Sequence, residues 1–396
     1  MASVRDHSPG KGARAVFLLL LAVYAVTADF EGGDRHNVDT YSSTMPAQRL
    51  VTHGDLDMTE FRERSPWFVP GRDGYVTDRP PGPTLVAVPF YLIVRPFVPL
   101  DREVAGPSVV AAIVVTAGAM STLYLALRHL ASPALALMTT LTYGLATPTW
   151  SISATALWPH GPNQLAIAVT LLVLVSRRRL WLLAPATALA LLTRPIIIVP
   201  LGVIGAWLLL RRRFHEAAWM TGGGVVGIVG LVGWNLMQFG VVRSPYTSAF
   251  LERSTDLSGD VYLLRLLGSL LDPQRGLLFV TPLVVIAVIA GVRGFRQLAP
   301  EARIAAFAGV AYLLVHIVFN RFSSAMPRNY RYSLETITLL APLVGVGLER
   351  MRHSTWGSTL AWLAGGWAFV FQLLLVFELD AVLGTSPTWL PWSLNA

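Results

Sequence analysis

A pair of aspartates and a scatter of arginines are the groups whose type and spacing could do chemistry in this chain. Asp34 and Asp39 lie in D-R-H-N-V-D-T, within a few residues of the first apolar stretch. A carboxylate held just above a membrane could take a proton from a hydroxyl presented there, acting as a general base. Spacing alone leaves Asp34 and Asp39 equally placed. Arg79 precedes two prolines in D-R-P-P-G-P. Pro80 and Pro81 fix φ, Pro81 biases Pro80 towards extended backbone, and Gly82 permits a sharp turn. Arg79 would then be held in place for a phosphate oxygen, although an arginine anchoring lipid headgroups reads the same. Farther along, A-L-W-P-H-G-P-N sets Trp158 and His160 at a break between apolar stretches, and Arg194-Pro195 forms a hairpin with almost no loop. The run N-R-F-S-S-A-M-P-R-N-Y-R-Y-S-L-E carries Arg321, Arg328, Arg331 and Tyr332. His160, Trp158 and Tyr332 are candidates to touch a substrate. No His/Asp cluster at ligand spacing accompanies His160, so nothing supports a metal site, divalent or otherwise.

The elements that must position these groups are apolar. The chain is 54% hydrophobic and 14% charged, with a mean hydropathy of +0.54. Soluble domains carry about a quarter charged residues, so an all-α polytopic membrane protein is expected. The formal charge is +8, and Lys11 is the only lysine. Arginine pairs with phosphate bidentately and stays charged in any surroundings. A nucleic-acid partner is not expected, because the arginines sit at the ends of apolar stretches. With no cysteine, thiol nucleophiles and disulfides are excluded. Residues 5–28 have the basic, apolar and small-residue order of a signal peptide ending at Val26-Thr27-Ala28. They read equally as a first span.

Apolar spans are readable near 15–28, 108–127, 132–149, 161–176, 180–193, 195–210, 217–237, 276–292, 303–319, 334–348 and 356–378. That makes about eleven. With the N-terminus inside, Arg128, Arg177–Arg179, Arg211–Arg213, Arg293, Arg296, Arg350 and Arg352 fall on the cytoplasmic side, as the positive-inside rule asks. The agreement requires that 83–99, interrupted by Pro89, Arg95, Pro96 and Pro99, lies in or re-enters the outer interface. The expected organisation is one membrane domain over 1–396, a first outer loop at 29–107 with interfacial helices, and a second outer loop at 238–275. One such helix is expected after the turn at H-G-D-L-D-M-T-E-F, and the remaining loop acids read as solvating charge.

In order, these pieces resemble the GT-C glycosyltransferases, and among them the actinobacterial membrane members. The matching segments are N-V-D-T-Y-S-S, D-G-Y-V-T-D-R-P-P-G-P-T-L, A-L-W-P-H-G-P-N-Q-L and N-R-F…N-Y-R-Y-S-L-E-T. The resemblance implies a polyprenyl-phosphate-sugar donor and transfer, usually inverting, on the extracytoplasmic face of the inner or plasma membrane. The acceptor would be a cell-envelope glycan, lipid or protein, with arabinose or mannose as the sugars suggested. By motif, Asp39 aligns best with the family's catalytic acid, with Asp34 close by. Arg79 falls where the family carries a basic residue before its Pro-Pro turn, and Arg331 where an arginine leads a late span. Arg194 and Arg328 are further candidates for the donor phosphate. The chain departs from the family in two respects. It carries no large C-terminal periplasmic domain, and Ala325, Met326 and Pro327 stand where a glycine pair is often found. No nucleotide-sugar site and no cofactor are expected, although the resemblance leaves room for a divalent metal that no residue pattern here supports. The alternatives are a transporter or flippase, which would more often show internal repeats and charges within spans, and a ligase of lipid-linked glycans, which would place its chemistry in a late, large loop. Neither repeats nor charged spans are evident in the sequence.

Overall fold

The computed structural model describes residues 9–31, 38–100, 103–252, 259–273, 276–319 and 331–377. Asp34, Arg321 and Arg328 lie outside the described residues. The described residues are predominantly helical. Its elements run α1 (Pro9–Val26), α2 (Val38–His53), β1 (Phe68–Pro70), β2 (Tyr75–Thr77), α3 (Gly82–Val94), α4 (Gly106–Arg128), α5 (Pro133–Leu145) and α6 (His160–Ser176). There follow α7 (Leu183–Thr193), α8 (Ile198–Leu210), α9 (Phe214–Phe239), α10 (Pro245–Glu252), α11 (Gly259–Leu271) and α12 (Leu277–Val280). The last are α13 (Pro282–Val292), α14 (Pro300–Phe319), α15 (Leu334–Arg352) and α16 (Thr355–Val376).

Five of these, α1, α4, α9, α14 and α16, are long and apolar enough to cross a membrane, and six shorter apolar helices accompany them. The protein is membrane-embedded. Exposed apolar side chains fit that solvent: Trp356, Trp362 and Leu363 on α16 and Val225, Val226 and Val229 on α9 stand open to the surroundings. Between helices, small residues allow close approach. A Cβ at Gly223 of α9 would strike the backbone of Ala184 in α7, and one at Gly347 of α15 the backbone of Ala287 in α13. These two pairs are among the most extensively packed in the protein.

The segment between α1 and α4 forms a small scaffold of its own. The expected helix after Asp55-Leu56-Asp57 is a single 3₁₀ stretch, Thr59–Arg64, led by Asp57 Oδ1 accepting from Thr59 N at 2.9 Å. Asp55 pairs with Arg49 at 2.6 Å, and Glu60 joins the same guanidinium at 3.0 Å. An antiparallel hairpin, Phe68 opposite Thr77, carries the chain back towards Arg79. α2 lacks an apolar stripe, yet Thr40, Ser42, Ser43, Thr44 and Gln48 on it are buried. Hydrogen bonds explain this. Thr77 Oγ1 donates to Ser42 O at 2.6 Å, Thr84 Oγ1 to Ser43 O at 2.7 Å, and Ser65 Oγ to Val38 O at 2.8 Å. Gln48 bridges Leu100 O and Val104 N, both at 3.1 Å. The Ser65, Thr77 and Thr84 hydroxyls each donate to a backbone carbonyl of α2, and together the bonds fix the start of α2 beside the Arg79 turn.

The chain bends at Pro81 into α3, and Gly82 makes this turn without a left-handed backbone. Gly82 begins α3 and is not among the glycines with positive φ. Its small size is required by proximity: a Cβ there would meet Thr193 Oγ1 and come within 2.5 Å of Thr193 Cα. The Pro-Pro-Gly turn therefore sits directly on the end of α7, one residue before Arg194.

Candidate active site

Asp39 occupies the first turn of α2, where the helix dipole favours a carboxylate. Arg79 Nη2 lies 2.6 Å from Asp39 Oδ1, and Arg331 Nη2 lies 2.8 Å from Asp39 Oδ2. Residues 40 and 292 positions away in the chain thus meet on the two oxygens of one carboxylate. Aromatic rings hold both guanidinium planes. Arg79 stacks over Trp67 at 4.1 Å and faces Tyr246 at 5.1 Å; Arg331 stacks over Trp158 at 4.3 Å and lies 5.1 Å from Tyr332. Such contacts contribute about 0.5–2 kcal/mol each and restrict where the charge can go. Arg331 is 5% exposed and Asp39's side chain 23%, so the carboxylate is reachable while its partners are walled in. Arg79 Nε and Arg331 Nε are buried without a hydrogen-bond acceptor among the described residues. Each arginine therefore keeps donor capacity for an anion.

A second carboxylate adjoins the first. Asp78 is 6% exposed, and its Oδ1 lies 3.5 Å from Arg79 Nε without a hydrogen bond. Burial pushes its carboxyl up to about 6, with Arg79 opposing the rise and the charge of Asp39 adding to it. A carboxyl titrating near neutrality is well suited to proton exchange.

Behind these residues lies a buried polar cluster. Glu335, fully buried in the first turn of α15, has Oε1 2.9 Å from His160 Nδ1, 3.3 Å from Asn163 Nδ2 and 3.4 Å from Arg194 Nη1. Arg194 Nη2 donates to His316 Nε2 at 2.6 Å. A guanidinium cannot accept, so His316 Nε2 must be the lone-pair nitrogen. His160 Nδ1 faces both Glu335 and, at 3.1 Å, Arg194. It can donate to the carboxylate but cannot serve both, and the shorter contact decides for Glu335. The cluster joins α6, the α7–α8 corner, α14 and α15. Tyr332 links it forward, since Arg194 lies 5.0 Å and Arg331 5.1 Å from its ring, and the His316 ring packs tilted against it at 4.8 Å.

Of the residues singled out in the sequence, Asp39, Arg79, Arg331, Trp158 and Tyr332 come together. His160 and Arg194 gather instead on the buried carboxylate of Glu335. Asp34 and Arg328 fall outside the described residues. Sequence reasoning passed over Asp78, Trp67, Tyr246, Glu335 and His316. For Glu335 and His316 a signal existed: both fall within the apolar spans 334–348 and 303–319, and ionisable residues in such positions mark function by default. The reading that spans carry no charges is corrected by them. Among the described residues no group of three or more His, Asp or Glu side chains is placed to hold a metal ion. In comparison with known proteins, no family model matches the chain and no curated relative is found.

Proposed function

We propose that the chain is an integral membrane glycosyltransferase of the GT-C type, with about eleven crossings. In this reading it moves a sugar from a polyprenyl-phosphate donor to an acceptor hydroxyl on the extracytoplasmic face. The observation that carries the reading is the Asp39 carboxylate bridged by Arg79 and Arg331. Two guanidinium groups fixed by aromatic faces and converging on one anion form the geometry a phosphate needs. The Asp39 carboxylate sits between the two guanidinium groups, where such an anion would bind. The donor phosphate enters between the arginines and takes over their donors, and Asp39 is released from at least one contact. The acceptor oxygen attacks the anomeric carbon, the bond from that carbon to the phosphate oxygen breaks, and Asp39 takes the hydroxyl proton. The arginines offset the charge growing on the leaving phosphate. A phosphate monoester anion leaves without protonation, so one carboxylate suffices, and attack opposite the leaving group inverts the centre. Arabinose and mannose remain the candidate sugars.

A transporter of lipid-linked glycans is the second reading, and the buried Glu335–His160–Arg194–His316 cluster favours it, since charged clusters between helices line many transport paths. One experiment separates them. Proteoliposomes containing the purified chain are given radiolabelled polyprenyl-phosphate arabinose or mannose with envelope acceptor lipid. Transfer predicts label leaving the polyprenyl carrier for the acceptor. Label that changes leaflet while staying on its carrier would overturn the transferase reading in favour of transport.

A further inference from the structure

α15 carries Glu335 near one end and a separate feature at the other. Its 19 residues span about 28 Å. Near its C-terminal end a cavity of about 380 Å³ opens between the α4–α5 turn, residues 297–298 and α15. That volume falls within the roughly 300–1,000 Å³ of small-ligand sites. Its walls are apolar, formed by Leu130, Leu135, Leu298 and Val346. Deeper in, Thr139 presents a buried hydroxyl with no hydrogen-bond partner among the described residues. Gly345 keeps the space in front of it open, for a Cβ there would meet the Thr139 hydroxyl at 3.4 Å and nothing else within 4 Å. At the rim Arg352 and Glu349 pair with each other, at 2.5 Å. Arg350, also lining the cavity, makes no ion pair among the described residues.

One uncommitted cation above an apolar slot, with a hydroxyl partway down, sets three requirements on an occupant. It needs an anionic head, an acceptor below the head and an apolar chain beyond. Free phosphate would leave the slot unfilled, and a zwitterionic lipid would place a cationic group beside Arg350. We propose that this cavity binds an anionic glycerophospholipid. The phosphate meets Arg350, one acyl chain lies along Leu130, Leu135 and Val346, and an ester carbonyl accepts from Thr139. The five residues from Gly345 to Arg350 set the hydroxyl about 8 Å below the rim, within reach of a glycerol ester. The site is independent of whatever reaction the Asp39 end performs.

The test uses the full chain, purified in a neutral detergent and titrated with phosphatidylglycerol, phosphatidylcholine or inorganic phosphate. Thermal midpoint and lipid retention by native mass spectrometry are read together. Phosphatidylglycerol is expected to raise the midpoint saturably and to stay bound, with apparent affinity at least about tenfold above phosphatidylcholine, and inorganic phosphate to do neither. Arg350→Gln, at an exposed position, should remove most of that preference, since a charge-assisted hydrogen bond contributes about tenfold or more. Gly345→Leu fills the slot with a better helix former and should abolish retention without lowering the lipid-free midpoint. Equal binding of the two lipids, reproduction of the shift by inorganic phosphate, or unchanged phosphatidylglycerol binding in both variants would overturn the proposal.

Discussion

Replacing Asp78 by asparagine tests the electrostatics of the candidate site through the pH dependence of stability. The folded carboxyl titrates at about 6 against an ordinary 3.8. Because the folded state holds this proton more tightly, stability is highest at low pH and falls as pH rises from the unfolded value through the folded one. Linkage over that interval gives a penalty of about 1 kcal/mol at pH 4.5, growing to a plateau of about 3 kcal/mol above pH 7. An amide carries none of this pH dependence. Whatever constant offset Asp78→Asn introduces, its stability relative to the parent should improve by about 2 kcal/mol between pH 4.5 and pH 7.5. Titrating groups that do not interact with Asp78 are shared and cancel, while the coupling to Asp39 is part of the Asp78 shift itself. The measurement is reversible denaturant unfolding in mixed micelles at several pH values, parent and variant side by side. A difference that stays flat with pH, or that moves against the variant, would refute the argument that burial governs this carboxyl.

Further outcomes follow from the same geometry. Arg79→Lys and Arg331→Lys keep the charge but lose the planar stack on Trp67 or Trp158, and each should lower transfer kcat/KM roughly ten- to hundredfold, about 1–3 kcal/mol. Glu335→Gln leaves Arg194 buried without its carboxylate and should cost about 3–5 kcal/mol of stability; the double variant Glu335→Leu/Arg194→Met should lose less than Glu335→Gln alone, read from thermal midpoints. Gly82→Ala forces α3 away from Thr193, costing about 1–3 kcal/mol and disturbing Arg79, whereas Gly118→Ala, with nothing within 4 Å, should be neutral or stabilising.

The parts of the site that were legible in the sequence were those whose residue types are out of place in an apolar chain. Asp39, Arg79 and Arg331 stand out because charges flanking spans need a reason, and aromatic residues beside them were visible in A-L-W-P-H and N-Y-R-Y. The helices were legible wherever an apolar run was long. The helix bearing Asp39 was not, because V-D-T-Y-S-S-T-M-P-A-Q has no periodic stripe and is held by hydroxyl-to-carbonyl bonds reaching β2 and α3. Those partners lie some tens of residues away and leave no local trace. Glu335 and His316 were hidden by the opposite effect, single polar residues averaged away within apolar spans. Gly82 reads in the sequence as a turn residue, and the nearness of Thr193 that also requires it is revealed only by packing.

The most direct test of the central claim is single-turnover transfer by Asp39→Asn. Donor binding and sugar transfer are measured separately with a radiolabelled polyprenyl-phosphate sugar. If Asp39 takes the acceptor proton and competes with the phosphate for Arg79 and Arg331, transfer should fall by about a hundredfold or more while donor binding holds or tightens. Transfer at the parent rate would contradict the account.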